Sequence, residues 1–212
     1  MAQRRMSRLV LGVTGHRNVD EKSPLLRKAV RAAIAEVLSE FDPRILVAVS
    51  PLAEGADRLV AREALRVKGS RLFVPLPVPQ LHFEDDFPKT VGSFRALLKK
   101  AGTVIDAPLP KRGHAWMTYS KARDHQYAWT GAYVVRHCHV LIAIWDGKPA
   151  RGTGGTAQVV SWFRKGLRAR SSAVVPARYQ QSAPVERQAE LLPPVPALKL
   201  VIIRPDGTRM SG

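Results

Sequence analysis

The sequence has a single cysteine, Cys138, and few aromatic residues, which make up 7% of its 212 residues. One cysteine excludes a disulfide framework within the chain and any zinc module built from several cysteines. The chain also lacks an apolar run of the ~18–20 residues that a membrane-spanning helix needs, and its first residues are too polar for a secretory signal peptide. We therefore expect a soluble, cytoplasmic protein.

Acidic residues are scarce, with 17 Asp and Glu against 34 Lys and Arg, and the formal net charge is +17. Such an excess favours polyanions, whether nucleic acid, an anionic membrane surface or a phosphorylated small molecule. The basic residues are dispersed, however, and a general compositional preference for arginine explains them equally well. The apolar share of 45% is ordinary for a globular domain, and the length is sufficient to bury a core.

Uninterrupted apolar runs, rather than alternating apolar and polar residues, mark the predicted strands. Such runs are typical of strands buried on both faces of a parallel sheet, with helices on each side. The predicted strands are Leu9–Val13, Ile45–Val49, Leu72–Val74, Val140–Trp145 and Leu200–Ile203, with a weaker one at Thr103–Ile105.

Helical periodicity fills the gaps between these strands. Ser23 and Pro24 predict a helix N-cap and first residue, and Gly69 predicts the end of a second helix. The predicted helices cover about residues 24–38, 57–68, 91–100, 124–137 and 156–167. This alternation predicts the α/β class, with a doubly wound, mostly parallel Rossmann-like sheet and helices on both faces. We expect one domain over 1–167, an irregular Pro- and Ser-containing excursion over 168–197, and the last strand and tail of the same domain over 198–212.

The loops at the carboxyl ends of the strands are the candidate site, because open parallel sheets bind ligands there. After the first strand, Arg17 can hold a phosphate with two hydrogen bonds, whereas His16 either bonds a ligand or packs against the turn. After Val140–Trp145, glycines precede a helix that begins near Thr156, where free N–H groups and the helix dipole favour an anion. We expect a phosphate cradle there, or alternatively an ordinary glycine-rich turn capped by Thr156; its residues are Gly152, Gly154, Gly155 and Thr156.

Two carboxylates follow the second strand in the turn that opens the next helix. Glu54 and Asp57 either face a sugar, with one acting as general acid or base on a glycosidic bond, or cap the helix. Asp124 either caps its helix or contacts the ligand, and Trp145 offers a face for stacking an adenine. The complete set of candidate ligand contacts is Gly12, Thr14, Gly15, His16, Arg17, Ser50, Glu54, Gly55, Asp57, Asp124, Trp145, Asp146, Gly152, Gly154, Gly155 and Thr156.

These segments, taken together, resemble the SLOG superfamily, which joins the LOG-type phosphoribohydrolases and the DNA-processing protein A (Smf) family. The resemblance covers about residues 8–165 and is carried by Gly12–Arg17, Ser50–Asp57, Leu141–Gly147 and Gly154–Ala157. It implies a Rossmann-like domain that binds a nucleotide or nucleotide-sugar, such as an ADP-ribose-like molecule, at the three loops. It also implies a sensor or an N-glycosidic hydrolase, with Glu54 as the candidate catalytic acid or base, and a homo-oligomer.

The last loop departs from the LOG pattern Pro-Gly-Gly-x-Gly-Thr-x-x-Glu, because Arg151–Val159 offers no clean counterpart of the acidic residue. The sequence therefore leaves two alternatives, binding of the ligand without turnover and its hydrolysis. The alternative function is single-stranded nucleic-acid binding, as in the DNA-processing family, driven by the basic surface. We expect no required cofactor and no membrane partner. We also expect no metal, because adjacent side chains at His137–His139 diverge at a helix–strand junction.

Overall fold

A central sheet organises the part of the chain that the computed structural model describes, which is residues 6–107, 121–149, 153–166 and 192–210. Its strands are β1 (Arg8–Gly15), β2 (Ile45–Val49), β3 (Arg71–Leu76), β4 (Thr103–Asp106), β5 (Val140–Ile144), β6 (Lys199–Ile203) and β7 (Arg209–Met210). They form one seven-stranded sheet in the order β4-β3-β2-β1-β5-β6-β7. All neighbours are parallel except β7, which runs antiparallel to β6.

Helices connect these strands, and their first residues follow the capping chemistry of the sequence. The Ser23 hydroxyl accepts a hydrogen bond from the Leu26 N–H at 3.3 Å, so it caps the first helix as predicted. The helices are α1 (Pro24–Phe41), α2 (Ala56–Ala64), α3 (Gln80–Glu84), α4 (Val91–Leu98), α5 (Lys121–His137) and α6 (Thr156–Arg164), with a 3₁₀ turn at Pro88–Thr90. None of these helices combines the length and the apolar character needed to cross a membrane.

The core lies on both faces of the sheet, because successive side chains of each strand point to opposite sides. Leu9, Leu11 and Val13 of β1 pack in the same cluster as the buried faces of α1, α2 and α4. Val10 packs on the other side, in the cluster that contains the buried residues of α5 and α6. The α/β class and the doubly wound, Rossmann-like sheet are thus confirmed.

The order of the strands reverses between β1 and β5, which lie side by side although three strands separate them in the chain. From β1 the sheet grows through β2, β3 and β4 on one side, and through β5, β6 and β7 on the other. In open α/β sheets the connections leave in opposite directions at such a switch point, which opens a crevice beyond the carboxyl ends of the two strands. The loops after β1 and β5 therefore define the position of a ligand site.

Several boundaries differ from those the sequence predicts. The helix expected to reach Lys68 ends at Ala64, because its last turn tightens to i→i−3 bonds from Arg66 to Glu63 and from Val67 to Ala64. The short elements α3, the 3₁₀ turn and β7 were not predicted, since each is too brief to show a periodicity. Most of the expected excursion over 168–197, and Gly152 of the expected cradle, lie outside the described residues.

Candidate functional site

A cleft of about 1220 Å³ opens at the carboxyl edge of the sheet, at the switch point between β1 and β5. Its walls come from the loops after β1, β2 and β5, from the start of α6 and from the first turns of α5. Most of the residues that the sequence proposed as ligand contacts line it, namely Thr14, Gly15, His16, Arg17, Asp57, Asp124, Trp145, Asp146, Gly154, Gly155 and Thr156.

Four other proposed contacts do not line the cleft, and two of them are packing residues. A Cβ atom on Gly12 would lie 2.7 Å from Cys138 Sγ, so the glycine lets β1 approach the junction between α5 and β5. The Ser50 hydroxyl accepts from the Leu52 N–H at 3.2 Å and donates to the Asp57 carbonyl at 3.1 Å. Ser50 therefore shapes the β2–α2 turn from inside.

Gly55 is the third proposed contact that does not line the cleft, and it allows the β1–α1 loop to pack closely against the start of α2. Its φ is +76°, and a Cβ atom there would lie 2.4 Å from the Arg17 carbonyl oxygen. The Gly55 N–H donates to Glu21 Oε1 at 2.9 Å, and the Ala56 N–H donates to the His16 carbonyl at 3.1 Å. The first N–H groups of α2 are thus occupied by the protein itself, and Glu21 supplies the negative charge that a helix N-terminus favours.

Glu54 is the fourth, and its place does not fit the role of acid or base that the sequence proposed. Its Oε1 accepts a hydrogen bond from the Thr90 hydroxyl, in the 3₁₀ turn. Thr90 is also bonded by the buried Arg58, whose Nε donates to the Leu52 carbonyl at 2.9 Å. Glu54 therefore ties the β2–α2 loop to the 3₁₀ turn, and it is not among the residues that line the cleft.

Asp57, the second residue of α2, is the proposed carboxylate that does line the cleft. The residue is only 6% exposed, and its Oδ2 accepts from the Ala53 N–H at 3.3 Å. Burial raises the pKa of Asp57 to about 7, although the Ala53 N–H and the nearby charges of Arg17 and Arg58 oppose the shift. A carboxyl group that exchanges its proton near neutral pH is equipped for acid–base chemistry.

The N-terminus of α6 forms the opposite wall of the cleft. Gly154 has φ +79°, and a Cβ atom there would lie 2.8 Å from the Ala128 backbone nitrogen of α5. The Gly154 N–H donates to Gln158 Oε1 at 2.6 Å, and Gly155 is an N-cap without a side-chain bond. Since Thr156 and Ala157 are the first helical residues, their N–H groups have no carbonyl four residues earlier within α6, and both residues line the cleft.

His16 joins the loop after β1 to the loop after β5. Its Nε2 lies 3.0 Å from Asp146 Oδ1 and 3.2 Å from the Asp146 backbone nitrogen. A protonated imidazole donates to the carboxylate, whereas a neutral one with its proton on Nδ1 accepts from the N–H. The Lys148 N–H, followed by His16 and the Lys148 ammonium, lowers the pKa of Asp146 to about 2. Both forms of the histidine close this side of the cleft.

A cluster around Asp86 forms the remaining wall. Arg17 Nη2 lies 3.0 Å from Asp86 Oδ2, Arg123 Nη2 lies 2.7 Å from Asp86 Oδ1, and the Tyr127 hydroxyl donates to the same carboxylate. The Asp86 side chain is 3% exposed and that of Arg123 is 6% exposed, but Arg17 remains 47% exposed. Burial opposes a charge on Arg17, but the bond to Asp86 outweighs it, so the pKa of Arg17 is raised and the guanidinium stays charged.

Asp86, Arg123 and Tyr127 were absent from the contacts that the sequence proposed. Arg123 and Tyr127 are four residues apart on α5, so they share a helix face, which is a signal that the sequence does carry. Asp86 carries no such signal, because it stands in an acidic stretch between α3 and the 3₁₀ turn, neither of which shows a period. The β3–α4 connection therefore contributes to the cleft without a recognisable motif.

The His137–His139 segment is structural. His139 Nδ1 accepts from the Val10 N–H at 3.0 Å, and His137 stacks on Tyr133 with ring centroids 4.1 Å apart. Burial raises the pKa of the Cys138 thiol to about 12, which keeps it an unreactive thiol. Within the described ranges no group of three or more His, Cys, Asp or Glu side chains is arranged to hold a metal ion.

Comparison with known proteins gives no relative from which a role could be transferred. No protein-family model matches the chain, and no curated protein matches it either. The cleft and its chemistry therefore have to be interpreted from their own residues.

Proposed function

We propose that the protein binds a nucleotide or nucleotide-sugar in the cleft, with a phosphate at the N-terminus of α6. One observation carries the proposal: a single cleft at the switch point collects the first N–H groups of α6, which have no carbonyl partner within the helix, the charged Arg17 and the buried Asp57. Helix N-termini and arginines are the groups that hold phosphates, and a switch point is where α/β sheets bind nucleotides.

The size and lining of the cleft support a ligand larger than a lone phosphate. Its volume of about 1220 Å³ lies slightly above the roughly 300–1,000 Å³ that is usual for small-molecule sites. Besides its polar groups, the cleft is lined by Val13, Pro51, Pro77 and Trp145, which add apolar surface. Apolar surface flanked by anion-binding groups suits a base and sugar that carry phosphate. The resemblance of the three loops to the SLOG superfamily points to the same ligand class.

Calorimetric titration with adenosine monophosphate, ADP-ribose and NAD tests the proposal on wild-type protein and two variants. Gly155→Asp places a carboxylate at the N-cap of α6, where it satisfies the helix N–H groups and repels an anion. We expect this variant to fold as stably as the wild type but to lose about tenfold or more in affinity, a change of ~1.4 kcal/mol.

Gly155→Asn is the matched control, because asparagine also caps a helix but carries no charge. We expect it to lose less affinity than Gly155→Asp. Equal affinity in Gly155→Asp and wild type would overturn the phosphate site at α6. Absence of binding for every nucleotide offered to the wild type would overturn the proposed function itself.

Cleavage of an N-glycosidic bond is a second candidate function, and Asp57 is the observation that favours it. In this reaction water adds to the anomeric carbon, the bond to the base nitrogen breaks, and the base leaves with a proton. Asp57 lines the cleft and has a pKa of about 7, so it can supply that proton and regain one from the water. Glu54 is bonded to Thr90 and is not among the residues that line the cleft.

Chromatography of the nucleotide after incubation with the protein measures this activity as released base. We expect Asp57→Asn to abolish release while calorimetry still detects binding, and Glu54→Gln to retain release. If the wild type binds the nucleotide and releases no base, the protein acts by binding alone.

A further inference from the structure

Tyr127 connects the two anion-binding features of the cleft. Its backbone lies against the α6 end, where a Cβ atom on Gly154 would be 3.1 Å from the Tyr127 carbonyl carbon. Its hydroxyl, at the other end of the side chain, donates to Asp86. The start of α6 and the Asp86 cluster are therefore separated by roughly the length of one tyrosine side chain, along one wall of the cleft.

The Asp86 cluster holds an excess of positive charge next to this wall. Two guanidinium groups, of Arg17 and Arg123, share the single carboxylate of Asp86, so the three residues together carry one net positive charge. Both guanidinium groups also lie 5.7 Å from the centre of the Tyr127 ring. The face of an aromatic ring attracts a cation at this distance.

The two arginines differ in what they can offer to a ligand. Arg123 is buried and also donates to the His82 carbonyl at 2.9 Å, so it is part of the framework. Arg17 is half exposed, and within the described ranges its one hydrogen bond is the one to Asp86. Because a guanidinium has five N–H donors in a rigid fork, Arg17 keeps donors for an anion while Asp86 fixes its direction.

We propose that Arg17, oriented by Asp86, Arg123 and Tyr127, is a second anion subsite, so that the ligand carries two separated phosphate groups. One phosphate lies at the start of α6 and the other at Arg17, with a sugar-sized spacer between them. This inference rests on the proposed function and names the ligand class within it: a nucleoside or sugar bisphosphate, rather than a monophosphate or a ligand with adjacent phosphates.

Asp86 is a positioning residue in this arrangement. The direction in which its removal changes the affinity for the ligand distinguishes this role from a purely electrostatic one. If Asp86 acted on the ligand only through its charge, its removal would strengthen the binding of an anion. If it orients Arg17, its removal leaves the guanidinium free to adopt other directions and weakens binding, although the cleft becomes more positive. The two roles thus predict opposite changes in affinity for Asp86→Asn.

Calorimetric titration with three adenosine nucleotides tests the spacing. The probes are the 5′-monophosphate, the 5′-diphosphate and the 3′,5′-bisphosphate; the second has adjacent phosphates and the third has them on opposite sides of the sugar. We expect the bisphosphate to bind about tenfold or more tightly than either of the others. Equal affinities for the diphosphate and the bisphosphate would overturn the second subsite and leave the proposed function intact. Failure of all three to bind would overturn the proposed function, and this inference with it.

Substitutions in the Asp86 cluster test whether these residues cause the preference for the bisphosphate. We expect Arg17→Gln and Asp86→Asn to reduce the affinity for the bisphosphate about tenfold or more, so that its preference over the monophosphate falls to within a factor of two or three. Tyr127→Phe, which removes one hydroxyl, gives the same trend if Asp86→Asn does not fold. Arg71→Gln is the control for charge, because Arg71 is exposed at the amino end of β3, away from the cleft. An unchanged preference in Arg17→Gln, or stronger binding in Asp86→Asn, would overturn the proposal.

Discussion

Asp57 shows how a single buried residue can be costly to the fold and useful to the site. A carboxyl group in an apolar setting resists ionisation, because the charge would lose its hydration. Here a single backbone N–H, that of Ala53, partly compensates the loss. The protein therefore keeps at the cleft a group that is neutral below about pH 7 and charged above it.

The stability of the protein should reflect this group. The folded-state pKa of Asp57 is about 7, which is above the ~3.9 of an unfolded chain. A raised pKa means that the folded state binds the proton more tightly, so the stabilisation is complete below pH ~4 and is lost as the pH rises through 7. The effect is on the order of 4 kcal/mol as an upper bound.

Urea unfolding of wild type and Asp57→Asn at several pH values between 4 and 9 measures this effect. We expect the wild type to lose free energy of unfolding relative to the variant as the pH rises, because asparagine cannot ionise. Glu54→Gln serves as the control for a carboxylate outside the cleft. A difference between wild type and Asp57→Asn that is the same at every pH would contradict the raised pKa.

Individual site residues were predicted from the sequence to different extents. His16 and Arg17 could be predicted, because they follow directly after the strand that lies at the switch point. Glu54 and Asp57 could not be told apart, since both stand in one turn and only the packing around Arg58 and Thr90 decides which of them reaches the cleft. Asp86 was not predictable, because its partners Arg17 and Arg123 are distant in the chain.

At the scale of elements, the join between the β1–α1 loop and the start of α2 is a tightly constrained contact of the site. Gly55 and Gly69 have nearly the same φ, +76° and +77°, but differ in their surroundings. A Cβ atom on Gly55 would meet the Arg17 carbonyl oxygen at 2.4 Å, whereas one on Gly69 would meet nothing within 4 Å. At both positions an L-residue would be strained by the positive φ, but only at position 55 would its Cβ atom also overlap with neighbouring atoms.

Gly55→Ala and Gly69→Ala form a matched pair of substitutions. We expect Gly69→Ala to lower the free energy of unfolding by ~1–2 kcal/mol, the cost of an L-residue at positive φ. Gly55→Ala adds an overlap that typically costs another ~1–3 kcal/mol, so we expect about 3 kcal/mol or more, and weaker nucleotide binding through the displaced Arg17. Urea denaturation measures both. If the two variants lost the same free energy of unfolding, the β1–α1 loop would be able to move away from the new Cβ atom at no cost.

Elements that are buried on both sides were predicted best. The predicted strand Ile45–Val49 matches β2 without any shift, and Val140–Trp145 differs from β5 by one residue. Their uninterrupted apolar runs are typical of strands that are covered by helices on both faces of a parallel sheet. The end of α2 and the element α3 were predicted poorly or not at all, because a helix end is set by local hydrogen bonds and a five-residue helix has no full period.

At the scale of the whole molecule, the net charge of +17 is the property that the cleft does not explain. Some of the described basic side chains are paired; for example, Lys199 contacts Glu36 at 2.8 Å, and Arg27 contacts Glu63 at 2.7 Å. However, 17 Asp and Glu cannot neutralise 34 Lys and Arg. Single-stranded nucleic-acid binding remains the alternative that this charge favours. The two functions differ in how affinity depends on salt, because each phosphate neutralised releases counterions.

A salt series therefore separates the alternatives. A single-stranded oligonucleotide bound through six or more of its phosphates should lose about three hundredfold or more in affinity between 50 and 200 mM salt. We expect the affinity for a mononucleotide to change by a few-fold at most and an oligothymidine to bind only at low salt. Fluorescence anisotropy measures the oligonucleotide and calorimetry the mononucleotide. Tight oligothymidine binding that persists at 200 mM and competes with the mononucleotide would favour the nucleic-acid function.

The double pairing of β1 has a consequence for how this architecture can change over time. Residues Arg8–Gly12 pair with β2 and residues Leu11–Gly15 pair with β5, so β2 supports the first part of the strand and β5 supports it up to its last residue. The His16 N–H makes the last bond to β5, to the Ile144 carbonyl at 3.0 Å, so positions 16 and 17 lie where that support ends. Random replacement at these two positions should yield folded proteins that differ in what they recognise, which makes the scaffold a tolerant starting point for new specificities.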